Sequence, residues 1–271
     1  YVGPTAQAPK PDKGDEIVDY SGDFVLPGLI DIHVHLSYGN AQANEDVDMY
    51  APPEFRALRA MAASQKVLMA GYTSLADPAS TNRVSTSVRD GINAGMFQGP
   101  RITSSGRQIT SRQGLGDWYP SWIGVPESSV GVLVKSIDEG LEEIRLQVKD
   151  RVDFIKFTAD GLSRNARGEL MACFNQQELS AMVEECHRLG VKCISHARGR
   201  EAVLTSARAG VDILFHGFEM DQEGLDAVVE SGATLSPALT FLVNTVEFTR
   251  EGDPCFKWRP NMKRNDVEIA S

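Results

Sequence analysis

Seven short apolar runs recur along the chain, at residues 23–35, 72–76, 101–104, 153–158, 191–195, 211–215 and 233–236. Segments of helical periodicity separate most of them, at 53–69, 83–94, 128–149, 176–189, 200–209 and 221–230. Glycines 71, 95, 190, 210 and 232 mark the ends of five of these helices, as expected where a helix closes on a left-handed residue. The strands are apolar throughout rather than alternating, so both of their faces must be covered. That is the signature of a parallel sheet wrapped by its crossover helices.

An open doubly wound sheet and a closed (β/α) barrel both satisfy this pattern. No GxGxxG or GxxxxGK[ST] follows any strand, which removes the nucleotide fingerprint of the open form. Seven strands at this spacing predict a TIM-type barrel over residues 23–271, with residues 1–22 as a Pro-, Lys- and Gly-rich lead-in. An eighth strand is not visible, because residues 238–271 hold Phe241-Leu242-Val243 and then turn charged and irregular. The barrel is therefore expected to be incomplete. The stretch 106–126, with four Gly, two Pro and two Trp, reads as a long loop of the kind that is usually functional or mobile.

Bulk properties exclude some partners. A net charge of −10 argues against nucleic acid or an anionic membrane, since both call for basic patches. No apolar run reaches the roughly 18 residues of a membrane span, and no secretory pattern opens the chain. The four cysteines, Cys173, Cys186, Cys193 and Cys255, form no CxxC pair and are expected to be reduced thiols. A cytoplasmic location follows as an expectation.

Four of the five histidines end or occupy apolar strands. His33 and His35 are two apart, so their imidazoles leave the strand on one face, a suitable hook for a transition metal. A pair of core histidines bonded to backbone carbonyls would look the same. Lys156 lies inside Phe154-Ile155-Lys156-Phe157. A buried ammonium must shift its pKa, find a partner or be modified, unless it reaches water at a strand end. His196 and His216 each close a strand, where parallel barrels place their active sites. His187 instead falls near the end of a helix, before Gly190, where a His can serve the last carbonyls structurally.

Together the chain reads HxH on strand one, Lys on strand four, and His on strands five and six. It resembles the amidohydrolase superfamily, in the branch of imidazolonepropionase-like proteins and Xaa-Pro or Xaa-Arg dipeptidases. The matching segments are Val25-Leu26-Pro27-Gly28-Leu29-Ile30-Asp31-Ile32-His33-Val34-His35, Gly71-Tyr72-Thr73-Ser74-Leu75, Val152-Asp153-Phe154-Ile155-Lys156, His196-Ala197-Arg198-Gly199 and Phe215-His216-Gly217. The resemblance implies that His33 and His35 bind one divalent metal, most often zinc, and that His196 and His216 bind a second. It implies that carbon dioxide carboxylates Lys156 to a carbamate bridging the two. A bridging hydroxide would then cleave the C–N bond of a small amide, cyclic amide or dipeptide. Assembly into homo-oligomers is a further implication.

Three departures stand out. The family's strand-eight Asp is not found; Asp253 and Asp266 lie in polar, strand-poor sequence. Little of the family's small β-domain remains beyond a remnant at the N-terminus. A fragment, or a chain whose strand eight comes from a complementing partner, is therefore expected. Leu115 stands where this branch often has a histidine, with Trp118, Tyr119 and Trp122 nearby as a potential aromatic lid over substrate or a plain surface loop. Arg198 replaces a second strand-five histidine, and suits either a substrate carboxylate or a structural ion pair. Two rival readings stay open: a one-metal deaminase or cyclic-amide hydrolase, and a barrel without catalysis.

Overall fold

The computed structural model describes residues 2–39, 41 and 43–243. Asp253, Asp266 and Cys255 lie outside them. In chain order the elements are β1 (Leu29–Asp31), α1 (Asn44–Asp48), α2 (Pro53–Met69), β2 (Tyr72–Asp77), α3 (Val84–Asn93), β3 (Arg101–Ser104), β4 (Gln108–Thr110), β5 (Gly131–Leu133), α4 (Ile137–Lys149), β6 (Phe154–Thr158), β7 (Asp160–Arg164), β8 (Leu170–Ala172), α5 (Gln176–Arg188), β9 (Lys192–Gly199), α6 (Arg200–Ala209), β10 (Ile213–Glu219), α7 (Gln222–Ser231), β11 (Thr234–Ser236) and α8 (Leu239–Val243). Residues 2–28 carry one 3-10 turn, Thr5–Gln7, and no strand.

Two parallel sheets make the wall, ordered β1-β2-β3 and β11-β10-β9-β6-β4-β5. They meet where the Asp153 amide donates to the Ser104 carbonyl at 2.8 Å, which ties the end of β3 to the start of β6. β3 and β4 thus act as one stave, the first half paired with β2 and the second with β6. Among the described residues β1 pairs only with β2 and β11 only with β10, so the wall is not closed between them. A short antiparallel hairpin, β7-β8, rises from the end of β6.

The pleat sorts side chains into two layers. Ile155 and Phe157 of β6, Cys193 and Ala197 of β9, and Leu214 of β10 point outward and pack with α5, α6 and α7 in the largest core cluster. Phe154, Ile194 and Phe215 point inward and, with Ala76 and Ile213, fill the interior below the strand ends. The helices begin and end as their sequences dictate. Ser136 accepts from the Glu139 amide at the start of α4, and Asn175 and Glu178 form a reciprocal capping box on α5, an arrangement that satisfies otherwise orphaned amides.

Three sequence expectations change. The helix expected over 128–149 begins only at Ile137. Its first part, Val130-Gly131-Val132-Leu133-Val134, is β-branched and pairs as β5 against β4, the preference of such residues. The supposed loop 106–126 therefore contains the buried strand β4. Finally, the run at 23–35 was expected to be a buried strand, but Leu29, Ile30 and Ile32 are exposed, because no described element covers the outer edge of β1.

Candidate functional site

His33 and His35 follow β1 at its C-terminal end. The Asp31 carboxylate accepts from the His33 amide at 3.0 Å, which turns the chain as the strand finishes. The two rings lie 5.2 Å apart, edge to face. Nδ1 of His35 sits 3.3 Å from the Ala79 carbonyl and 4.0 Å from Asp77. A ring that donates one N–H to a carbonyl keeps its other nitrogen free as an acceptor. Tyr38 stacks on the same ring at 4.6 Å.

The other predicted residues arrive from β6, β9 and β10. Lys156 faces inward, 2% exposed, with Nζ 4.3 Å above the Phe215 ring. The His33 ring stacks on Phe215 at 4.2 Å and lies 5.3 Å from His216, so β1 and β10 meet across the interior. His196 follows the inward parity of Ile194. His216 does not follow from parity, since alternation would send it outward with Leu214. Its φ of +83°, followed by Gly217 at +71°, and a register shift between His216 and Glu219 turn the ring inward, 4.5 Å from His196. A non-glycine residue in this region is strained by about 1–3 kcal/mol and concentrates at functional sites.

The four imidazoles and the amine therefore gather at one mouth of the wall. They form a chain of neighbouring rings, His35–His33–His216–His196, with centroid spacings of 5.2, 5.3 and 4.5 Å, rather than one tight knot. Among the described residues, no three histidine or carboxylate donors of this mouth lie mutually within 4.8 Å.

Burial dominates the electrostatics here. It holds His33, His196 and His216 far below the ordinary imidazole range, with Lys156 or Arg198 adding repulsion. It takes His35 down to about 4, with Lys156 in the same direction and the Ala79 carbonyl against it. Lys156 falls well below the ordinary amine range, again by burial first and Arg198 second. The four imidazoles are thus neutral donors at pH 7, and Lys156 is shifted toward its neutral form. Lys156 Nζ and His216 Nδ1 have no hydrogen-bond partner among the described residues, an expensive state for buried polar atoms.

Two carboxylates that the sequence did not single out support the site. Asp160, fully buried at the start of β7, accepts the amides of Arg198 and Gly199 through Oδ2, at 2.6 and 2.8 Å. Its Oδ1 lies 3.1 Å from His196 Nε2 but off the hydrogen-bonding direction, so that oxygen has no such partner. Burial raises this carboxyl to about 6, against the pull of Arg198 and the two amides. Asp77, at the end of β2, accepts from the Leu36 and Ala79 amides and from the Ser85 hydroxyl. Burial raises it to about 7 against those bonds. The sequence signal was an Asp at the end of a buried strand, directly after residues 72–76 for Asp77 and two residues after Thr158 for Asp160, close to the positions of His196 and His216.

Arg198 donates from Nε to His196 Nε2 at 3.0 Å, so it lies in the site. Trp118 and Tyr119 do not reach the histidines through hydrogen bonds. Trp118 Nε1 and Tyr119 Oη both donate to Asp48, at 2.9 and 3.0 Å, and the other oxygen of Asp48 accepts the Val130 amide. The loop is fastened again where the Leu115 amide donates to the Asp160 carbonyl at 3.0 Å. Gly161 permits this approach, because a Cβ there would collide with the Gln113 carbonyl.

Comparisons with known proteins bear on the fold and the family. The crystal structure of a Xaa-Pro dipeptidase with methionine bound in its active site is similar at a TM-score of 0.74 and 26% identity, over 90% of this chain and 61% of that one. The crystal structure of Aspergillus niger ochratoxinase shares the fold, at a TM-score of 0.71 and 22% identity over 90% of this chain and 57% of that one. In sequence, the Aspergillus niger ochratoxinase is 28% identical over 268 residues, 91% of this chain and 55% of the relative. The chain spans about half the length of the curated relatives it matches. No helix among the described residues is long and apolar enough to cross a membrane. The model of the amidohydrolase family matches residues 24–253, a span that holds every strand from β1 to β11, and the chain belongs to that family.

Proposed function

We propose that this chain carries the metal centre of a hydrolase that cleaves the C–N bond of a small amide or dipeptide. The observation that supports this most is the convergence of four neutral imidazoles on a buried, unpartnered amine. The donor set fits divalent zinc, a cation that takes neutral imidazole and anionic oxygen ligands. In this reading His33 and His35 hold one ion and His196 and His216 the other. Bound zinc would supply Lewis acidity toward the amide carbonyl and hydroxide at neutral pH.

The chain's own groups prepare for this. Burial shifts Lys156 toward the free amine, the form that attacks carbon dioxide. The N–C bond forms, one C=O electron pair moves to oxygen, and the ammonium proton leaves to solvent, giving a carbamate with two anionic oxygens. The Ala79 carbonyl fixes the His35 ring, and Asp160 holds the strand on which Arg198 sits. Phe154, Ile194 and Phe215 floor the site and keep water from its underside. Arg198 places a guanidinium beside His196, where it suits a substrate with a free carboxylate next to the scissile bond. A free carboxylate is common to dipeptides and N-acyl amino acids, in keeping with relatives that include a Xaa-Pro dipeptidase.

One contact favours a second reading. Arg198 Nε occupies the His196 nitrogen that an ion would need, as expected if only His33 and His35 bind metal, in a one-metal deaminase or cyclic-amide hydrolase. Zinc analysis of the purified protein with and without bicarbonate separates the two, combined with a panel of dipeptides and N-acyl amino acids. The leading reading expects two equivalents of zinc that Lys156→Ala loses, counted above the zinc kept by a variant with all four mouth histidines replaced by Ala, and release of free amino acid. One such mouth equivalent indifferent to bicarbonate supports the second reading, and a metallated mouth that cleaves no C–N bond in a panel widened to cyclic amides and amino-substituted rings overturns both.

A further inference from the structure

The opposite end of the same strands carries another set of metal donors. His187 lies in the last turn of α5, Cys193 is the second residue of β9, and Asp212 immediately precedes β10. His187 Nε2 is 3.1 Å from Asp212 Oδ2 and 4.0 Å from Cys193 Sγ, and one ligand atom from each residue lies within 4.8 Å of the other two. Cys193 sits three residues before His196, roughly 10 Å along the strand, and its side chain points to the helix layer while His196 points inward. The two clusters are therefore separate in both depth and direction.

We propose that His187, Cys193 and Asp212 form a second, structural binding site for a zinc-like cation at the base of the wall. The geometry carries the inference. Zinc bonds of about 2.3 Å to sulfur and about 2.0–2.2 Å to nitrogen and oxygen put ligands of one tetrahedron roughly 3.3–3.6 Å apart. The distances of 3.1 and 4.0 Å straddle that edge, so small side-chain shifts complete three of four positions. The sulfur–nitrogen separation is long for a strong hydrogen bond, leaving the thiol and the ring facing each other without a firm contact.

The surroundings suit an ion rather than a bare ion pair. Cys193 is fully buried, whereas the His187 side chain is 46% exposed, so a cation can enter from solvent and keep a water in the fourth position. Cys186, also buried, hydrogen-bonds the Cys193 sulfur with its own thiol, a contact that would support a thiolate from behind. Asp212 Oδ2 already accepts the Cys193 amide at 2.9 Å, which fixes the carboxylate against the start of β9. Binding would transfer the Cys193 proton to solvent and tie α5, β9 and β10 together at one point.

Cobalt(II) tests this, because a thiolate ligand produces a near-ultraviolet charge-transfer band that imidazole and carboxylate ligands do not. Protein stripped by chelation is titrated with cobalt(II) and followed by absorbance. The expected result is a charge-transfer band with the final amplitude of one thiolate-bound cobalt(II), whatever the mouth also binds, that persists in His216→Ala and Cys255→Ser and disappears in Cys193→Ser. His187→Gln changes an exposed side chain and should leave the fold intact while weakening cobalt binding at least tenfold. No band, a band that survives Cys193→Ser, or one indifferent to His187→Gln overturns the proposal. Because His216→Ala is predicted to keep the band, failure here is distinguishable from failure of the hydrolase reading.

Discussion

The two ends of β9 and β10 present similar side chains in opposite states. At the base, Asp212 receives both the Cys193 amide and the His187 ring, and these groups hold three elements together. At the mouth, Lys156 Nζ, His216 Nδ1 and Asp160 Oδ1 are buried without a hydrogen-bond partner among the described residues, and His216 is backbone-strained as well. Each unsatisfied buried group costs about 1–3 kcal/mol. The contrast separates donors that already serve the fold, where a cation would be an added brace, from donors that the fold carries at a cost, which mark the mouth where the proposed reaction would take place.

Replacing Lys156 breaks this contrast most severely. Lys156→Met keeps the length of the side chain and removes the amine. Activity is expected to fall to background. In the metal-free protein stability should rise by about 1–3 kcal/mol, or roughly 2–8 °C in Tm for a chain of this size. Calorimetry of the chelated proteins checks the second half. A loss of stability in the metal-free state would show that the amine supports the fold, and the two ends would no longer differ in kind.

Asp212→Ala probes the base. It removes the acceptor of a backbone amide at the start of a buried strand, and should destabilise the metal-free protein by about 1–3 kcal/mol without altering kcat. Urea denaturation together with steady-state kinetics measures both. A fall in kcat at unchanged fold would mean that the base is coupled to the chemistry.

Much of this was readable before the fold was known, and the exceptions are instructive. Helices α5 and α6 appear where glycine stops and caps placed them, because those signals are local. The histidine positions were legible because strand ends are the working face of a parallel barrel. β4 and β5 were not, since three-residue strands are shorter than any window in which periodicity shows. Trp118 and Tyr119 suit a lid or a plain surface loop in sequence; their partner Asp48 is some 70 residues away, and nothing local announces it. Asp160 and Asp77 resembled turn residues, because only the fold shows how deeply each is buried. The inward turn of His216 depends on a positive φ that only the following Gly217 hints at.

The pH dependence of the metal-free protein isolates the mouth by sign. A lysine whose folded pKa lies below 10.5 leaves the unfolded chain holding more protons, so stability rises with pH in that interval. The four mouth histidines have the same sign, but their window closes above about 6.5. Asp160 at about 6 and Asp77 at about 7 have the opposite sign, in windows that open near 3.8 and end at those values. Cys173, raised by burial to about 12, opposes only from about 9 upward. Between pH 7.5 and 8.5, above the histidine and carboxylate windows, Lys156 gives the slope a positive contribution. Lys156→Met should flatten it; a wild-type curve already flat would mean that the amine reaches solvent.

The smallest expected effect sharpens the base. The His187–Asp212 pair is 3.1 Å long but half open to water, with side chains 46% and 25% exposed, and exposed pairs contribute about 0–1 kcal/mol. His187→Gln should therefore cost the metal-free protein no more than about 0.5 kcal/mol, well below Asp212→Ala. Burial alone would raise the Asp212 carboxyl, yet the Cys193 amide and the His187 ring hold it below the ordinary range, and the amide persists in the His187 variant. Equal losses in the two variants, measured by urea denaturation, would assign the work to the ion pair. Unequal losses assign it to the bond between Asp212 and the backbone of β9, and make the His187 ring the dispensable member unless a cation is bound.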